Sequence, residues 1–296
     1  MNKKIAGITA LLAASLIWGT AYIVLKDVLT ILPPNYANTV RFGVGGLLFT
    51  AVFFKKASKI NRLDLKGGII TGMLIGFGNA FQTMGLVSIS VAVNAFLGAT
   101  YVIMIPFIVW AMTKKAPAKR IFICALIVIA GTVLLSSNGD FSGIGFSYGE
   151  ILTLIAAVFY GFAIISIGSY SDKIDFMVLA IIQAYTAALL SIVIAAILEE
   201  PPDIVISGTL AAQFLYISIF ATVGAQVLMN FGIKNVSAVQ AGIIFPTESV
   251  FAMILGVIFL KETVSPSMLF GCLLIVTGVI ITELEPKDRR DKIQNV

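Results

Sequence analysis

Residues 67–113 read GGIITGMLIGFGNAFQTMGLVSISVAVNAFLGATYVIMIPFIVWAMT, and no Asp, Glu, Lys or Arg interrupts them. A helical pass through a bilayer core needs about 20 predominantly apolar residues, so this run is long enough for two passes joined by a short turn. A water-soluble domain of 296 residues could not bury it along with the rest of a chain that is 59% hydrophobic and 12% charged. Lipid is therefore the solvent, and the chain reads as an all-α polytopic membrane protein.

Working outward, the same length rule predicts ten transmembrane helices at about 5–25, 35–54, 67–87, 91–112, 120–137, 148–168, 176–198, 209–231, 238–260 and 266–283. Five fall in each half, and the halves resemble each other. At an offset of 142, Gly7, Leu12, Ala14, Gly19, Ala21 and Ile23 fall on Gly149, Leu154, Ala156, Gly161, Ala163 and Ile165. At an offset of 147, Gly85, Ser90, Thr100, Lys114, Leu126 and Gly131 fall on Gly232, Ser237, Thr247, Lys261, Leu273 and Gly278. A repeat with an odd number of spans must be inverted, so the expected domains are two inverted five-helix repeats, 6–137 and 148–283, followed by a basic tail, 284–296.

Loop charge agrees with that count. With the N-terminus in the cytoplasm, the inside segments carry Lys3, Lys4, Lys55, Lys56, Lys59, Arg62, Lys66, Lys114, Lys115, Lys119, Arg120, Lys173, Lys234 and the tail's Lys287, Arg289, Arg290 and Lys292. The outer loops hold only Lys261, while Asp140, Glu150, Glu199, Glu200, Asp203 and Glu262 gather there. This is the positive-inside pattern of a cell-membrane protein with both termini cytoplasmic. The net charge of +5 thus reports orientation and gives a nucleic-acid partner no support. A signal peptide is the rival reading of residues 1–25, but that apolar run is long for one and has a partner at 149–165 that cannot be a signal. Cys124 and Cys272 fall inside predicted helices and the chain has no His, so neither a disulfide nor a metal site nor any cofactor is expected.

Inside the membrane, Gly68, Gly72 and Gly76 make a small-xxx-small face for close helix packing. Pro106 and Pro246 interrupt helices 4 and 9 and free the carbonyls of Val102 and Gly242. In lipid such groups must face protein or a water-filled cavity. Trp110 suits an interfacial anchor, whereas Trp18 lies near mid-bilayer, where its N–H needs a partner from packing or from a ligand.

Four charges lack a loop explanation: Lys26, Asp27, Arg41 and Glu248. Lys26 and Asp27 are expected to snorkel to water. Arg41 could snorkel too, or hold an anionic group near the outer mouth. Glu248 lies near the bilayer centre, where an ionised carboxylate costs on the order of 2.5–3.5 kcal/mol, so it is expected to face a cavity or a partner. Burial would let it carry a proton near neutral pH and release it as a cavity floods, the chemistry of a proton-coupled carrier. The plainer alternative is a protonated Glu248 acting as interhelical glue. The repeat supplies companions: Tyr101 matches Glu248, Asn79 and Gln82 match Gln226 and Met229, Thr83 matches Asn230, and Arg41 matches Gln183. The expected substrate and coupling set is Glu248, Tyr101, Asn79, Gln82, Gln226, Asn230, Trp18 and Arg41.

The stretch from Ala241 through Phe245-Pro-Thr-Glu248 to Lys261-Glu262, followed by Gly271-Cys-Leu-Leu-Ile-Val-Thr-Gly278, resembles the second-half signature of EamA-type members of the drug/metabolite transporter superfamily. Trp18-Gly-Thr, Lys26 and Arg41-Phe42 resemble the first-half positions. The family pattern often has proline directly after the acidic residue, where this chain has Ser249. The resemblance implies a ten-helix carrier in the cytoplasmic membrane, commonly an exporter of amino acids, related metabolites or drug-like cations; relatives that import or exchange are the alternative.

The expected function is a secondary active transporter working by alternating access on a small-molecule substrate, with protons as a candidate coupling ion. No Gly-x-x-x-x-Gly-Lys-Ser/Thr loop for ATP is present. An intramembrane enzyme would need paired acids, a metal set or an activated nucleophile at depth. A non-transporting receptor would leave the repeat unexplained.

Overall fold

The computed structural model describes residues 3–137, 145–170, 173–203, 207–236 and 244–283, and all of its regular elements are helical. They run α1 (Lys3–Val28), α2 (Pro34–Val52), a single turn α3 (Phe54–Ala57), α4 (Arg62–Ser88), α5 (Val91–Ala99), α6 (Tyr101–Thr113), α7 (Lys119–Ser137), α8 (Tyr148–Tyr170), α9 (Phe176–Leu198), α10 (Gly208–Tyr216), α11 (Ala225–Asn235), α12 (Thr247–Phe259) and α13 (Pro266–Glu283). Taking α5–α6 and α10–α11 as single passes, seven of the described helices are long and apolar enough to cross a bilayer, as a multi-pass membrane protein requires. The predicted helix at 238–260 is described from residue 244 on, and Gly242, Asp140 and the basic tail lie outside the described residues.

Two passes depart from simple α-helix, for local reasons. The predicted interruption at Pro106 is displaced: proline sits inside α6, and the break falls at Thr100. There the Thr100 hydroxyl donates to the Leu97 carbonyl at 2.6 Å, and the backbone closes three-residue turns on either side. Thr247, its counterpart in the second half, makes the same bond to Ile244 at 2.5 Å beside Pro246. Between α10 and α11, residues Ile217–Gly224 form a π-helical segment, within which the Thr222 hydroxyl takes the Ile217 carbonyl at 2.8 Å.

Glycines set which helices touch. Gly68, Gly72 and Gly76 form the floor on which α9 lies. A β-carbon at Gly68 would sit 2.5 Å from Ile182 Cβ, one at Gly72 3.0 Å from Gln183 Cα, and one at Gly76 3.2 Å from Ala187 Cα. The same helix packs its other side on α8, while α1 lies against α11 and α12, α2 against α9 and the π segment, and α7 against α13. Close approaches recur between the halves. Gly7 leaves no room for a side chain beside Asn235 and Val236, and Gly149 leaves none beside Ser88 and Ile89. Gly131 abuts the Gly271 carbonyl, and Gly278 abuts the Cys124 carbonyl. Burying apolar helix in lipid yields no hydrophobic gain, so such close backbone contact is the main source of association here.

One end of the bundle is fastened by charge. Lys26 is half-buried, and beyond snorkelling its Nζ donates to the carbonyls of Leu86 (2.5 Å), Ile89 (2.9 Å) and Val87 (3.2 Å), capping the C-terminus of α4. Glu262 accepts from the backbone N–H groups of Val91 (2.7 Å) and Ala92 (3.4 Å), capping α5. Asp27 stays exposed and accepts from Gln213 at 2.5 Å. At the opposite end Asn61 and Asp64 form a capping box on α4, and Lys56 pairs with Asp175 at 2.7 Å.

Candidate functional site

The polar positions of several helices converge on one central cavity of about 160 Å³. α1 contributes Trp18 and Tyr22, four residues apart and so on one helical face. α2 contributes Arg41, α4 contributes Asn79 and Gln82, α6 contributes Tyr101, and α8 contributes Tyr160. Gln226 enters from α11 and Glu248 from the first turn of α12. Of the eight residues expected from sequence, seven line this cavity. Asn230 does not: it is buried one turn beyond Gln226, its amide donating to the Phe176 carbonyl at 3.4 Å.

Tyr22 and Tyr160 are the members that sequence reasoning missed. The available signal was positional, since Tyr160 is the repeat counterpart of Trp18 and Tyr22 is one turn after it. They matter because Gln82 joins them. Its amide nitrogen donates to the Tyr22 hydroxyl at 2.7 Å, and its carbonyl accepts from the Tyr160 hydroxyl at 2.7 Å. Tyr22 thereby keeps its own O–H available for donation in the cavity that Glu248 also lines. Tyr160 spends its O–H on Gln82 and can offer the cavity, which Arg41 also lines, only its lone pairs. A single amide thus leaves one tyrosine able to donate and the other able only to accept.

Each charged group has a distinct setting. Arg41 donates to the Asn79 carbonyl oxygen, while the Asn79 amide nitrogen is held by the Ile75 carbonyl at 2.9 Å. The Arg41 guanidinium also lies 4.7 Å from the Phe42 ring centroid. Glu248 follows Pro246, and the next residue, Ser249, donates to the Ala95 carbonyl at 2.9 Å, a buried contact that proline at this position would not make. Tyr101 stands edge-on to Tyr160 and to Phe245, with centroids 6.3 and 6.5 Å away, forming an aromatic wall. The indole N–H of Trp18 finds its partner in the Ala221 carbonyl at 2.8 Å, within the π segment, where the helical ladder loosens.

Comparison with known proteins places this arrangement. The model of the EamA-like transporter family matches residues 5–137 and again 147–284. An uncharacterized transporter of Archaeoglobus fulgidus is 32% identical over 95% of this chain and 87% of its own length. The uncharacterized inner membrane transporter YedA of Escherichia coli K12 is 26% identical over 93% of this chain and 90% of its own. A solved crystal structure superposes with a TM-score of 0.65 at 19% identity, covering 94% of this chain and 95% of that one, so the fold is shared. With the family model matching both halves and a relative of that identity running nearly end to end, the chain is a membrane transporter and belongs to the EamA-like transporter family.

Proposed function

We propose that the protein is a secondary active transporter that moves a small metabolite across the cell membrane by alternating access, through the cavity holding Glu248, with Glu248 coupling transport to protons. The architecture in this reading is ten helices in two inverted five-helix repeats, α1–α7 and α8–α13, the α5–α6 and α10–α11 pairs each counting as one pass and α3 as part of a loop.

The observation that carries the reading is that close helix contacts come in repeat-related pairs. Gly19 abuts the Glu248 carbonyl, and Gly161 faces the Tyr101 carbonyl; each member of the second pair is the counterpart of one in the first, at offsets of 142 and 147. The glycine contacts of Gly7 and Gly149, and of Gly131 and Gly278, pair in the same way. Two related halves packed with exchangeable contacts can swap conformations around a fixed central site, which is what alternating access requires.

Glu248 suits coupling because it is reached from the cavity and shares it with a hydroxyl, Tyr22, of a kind that can donate to a carboxylate or accept from the acid. The test is transport of labelled metabolites into proteoliposomes under an imposed pH gradient. The reading predicts solute movement that responds to the gradient in wild type and loses that response in Glu248→Gln. Equal fluxes in liposomes with and without protein would refute it.

A further inference from the structure

Among the described residues, two hydrogen-bond donors of the central cavity have no acceptor. Arg41 Nε and the Gln226 amide nitrogen are both buried, both belong to side chains lining the cavity, and neither has a partner among those residues. Arg41 commits one bond to Asn79 out of the five N–H groups a guanidinium offers. Among the described residues no carboxylate lies within 4 Å of it, the one ion pair being Lys56–Asp175 at the end of the bundle. Glu248 shares the cavity but forms no ion pair with the guanidinium, so the two opposite charges do not meet.

Charged groups at membrane depth ordinarily pair with one another, and a buried donor without an acceptor is costly. What the cavity lacks at this end is an acceptor-rich group of negative charge. Among the described residues Arg41 is the only cation lining it, which balances a monoanion; a phosphate dianion would ask for a second. A guanidinium fork also matches a planar carboxylate through two parallel bonds. We propose that Arg41, assisted by Gln226, binds the carboxylate of the transported molecule, so that the cavity selects acids over amides and amines of the same shape. This rests on the transporter reading above and narrows its substrate class, setting purely cationic solutes aside.

The test uses matched probes on common skeletons: leucine and leucinamide, phenylalanine and phenylalaninamide, 4-methylpentanoate and 4-methylpentanamide, titrated against the purified full chain by thermal shift. At least one acid should bind, with its amide weaker by about tenfold or more. Arg41→Gln should erase that preference, and Gln226→Leu should weaken acid binding severalfold. So that the test does not depend on how Arg41→Gln folds, Asn79→Asp provides the second arm. It places a carboxylate of nearly the same shape on Arg41's own partner and should abolish acid binding in a folded protein. Amides binding as tightly as their acids, no acid binding at all, or acid affinity surviving Asn79→Asp would each overturn the proposal. Proteoliposome uptake separates the two readings: transport of amides or amines without transport of acids sinks the carboxylate site alone, whereas no protein-dependent flux of any probe sinks the transporter reading.

Discussion

The Glu248 carbonyl oxygen lies 3.3 Å from the point where Gly19 would carry a β-carbon, so the helix bearing the cavity's carboxyl is seated directly on the backbone of α1. Phe251 Cβ at 2.7 Å and the Ala252 nitrogen at 3.2 Å close the same space. Gly19→Ala must therefore push α12 outward, at a cost of about 1–3 kcal/mol for an overpacked contact. Transport should fall by more than the loss of folded protein, measured as flux per folded molecule alongside thermal unfolding in detergent. A Gly19→Ala variant with wild-type flux would mean that this seating does not position Glu248.

Glu248→Gln keeps side-chain volume and a hydrogen-bonding head but cannot release a proton. The variant is expected to insert and fold, bind substrate, and lose the pH dependence of transport. Flux across a pH gradient with unchanged dependence would leave Glu248 as interhelical glue.

Trp18 donates to a carbonyl that the π segment leaves available, and Trp18→Phe removes that donor inside the bundle. The expected destabilisation is about 1–3 kcal/mol for the Ala221 carbonyl left without its partner. The chain has two tryptophans, so a Trp110→Phe background isolates the Trp18 signal. Its emission should shift when a ligand enters the cavity, and a signal unaffected by saturating ligand would place the binding event elsewhere.

Orientation is open to direct labelling. A cysteine at Asp203 should react with an impermeant thiol reagent added to intact cells, and one at Lys59 should not. Labelling at Lys59 alone would reverse the topology drawn from the Lys/Arg asymmetry.

At the end of the bundle opposite Lys26, burial pushes the Asp175 carboxyl up, but the bonds from Lys56 and the Met177 N–H outweigh it and hold the group below the usual carboxylate range. A depressed folded value contributes stability above the unfolded value and loses it as pH falls through the folded one. Both partners are substantially exposed, so the pair is worth about 1 kcal/mol or less. Asp175→Ala should accordingly lower the unfolding midpoint slightly near neutral pH, and the difference from wild type should shrink in acid.

Hydropathy, charge and self-similarity are properties of the chain read in one dimension, and they were enough to establish a multi-pass membrane protein and to align its two family-matching halves. Span length follows from bilayer thickness, so it could be counted. They also identified Arg41, Glu248 and the amides as costly at depth. What they could not determine is rotation: a helix apolar on nearly every face carries no stripe to say which side meets a neighbour. Only the packing of α11 against α9 turned Asn230 away to the Phe176 carbonyl while Gln226, one turn earlier, faced the cavity. Only the seating of α4 between its neighbours set Gln82 between Tyr22 and Tyr160, and only the loosened helical turn before α11 offered Trp18 its acceptor. In lipid, where apolar surface gains nothing by being buried against another helix, helix rotation is decided by close backbone contact at glycine and by polar partners, and both exist only once the helices are together.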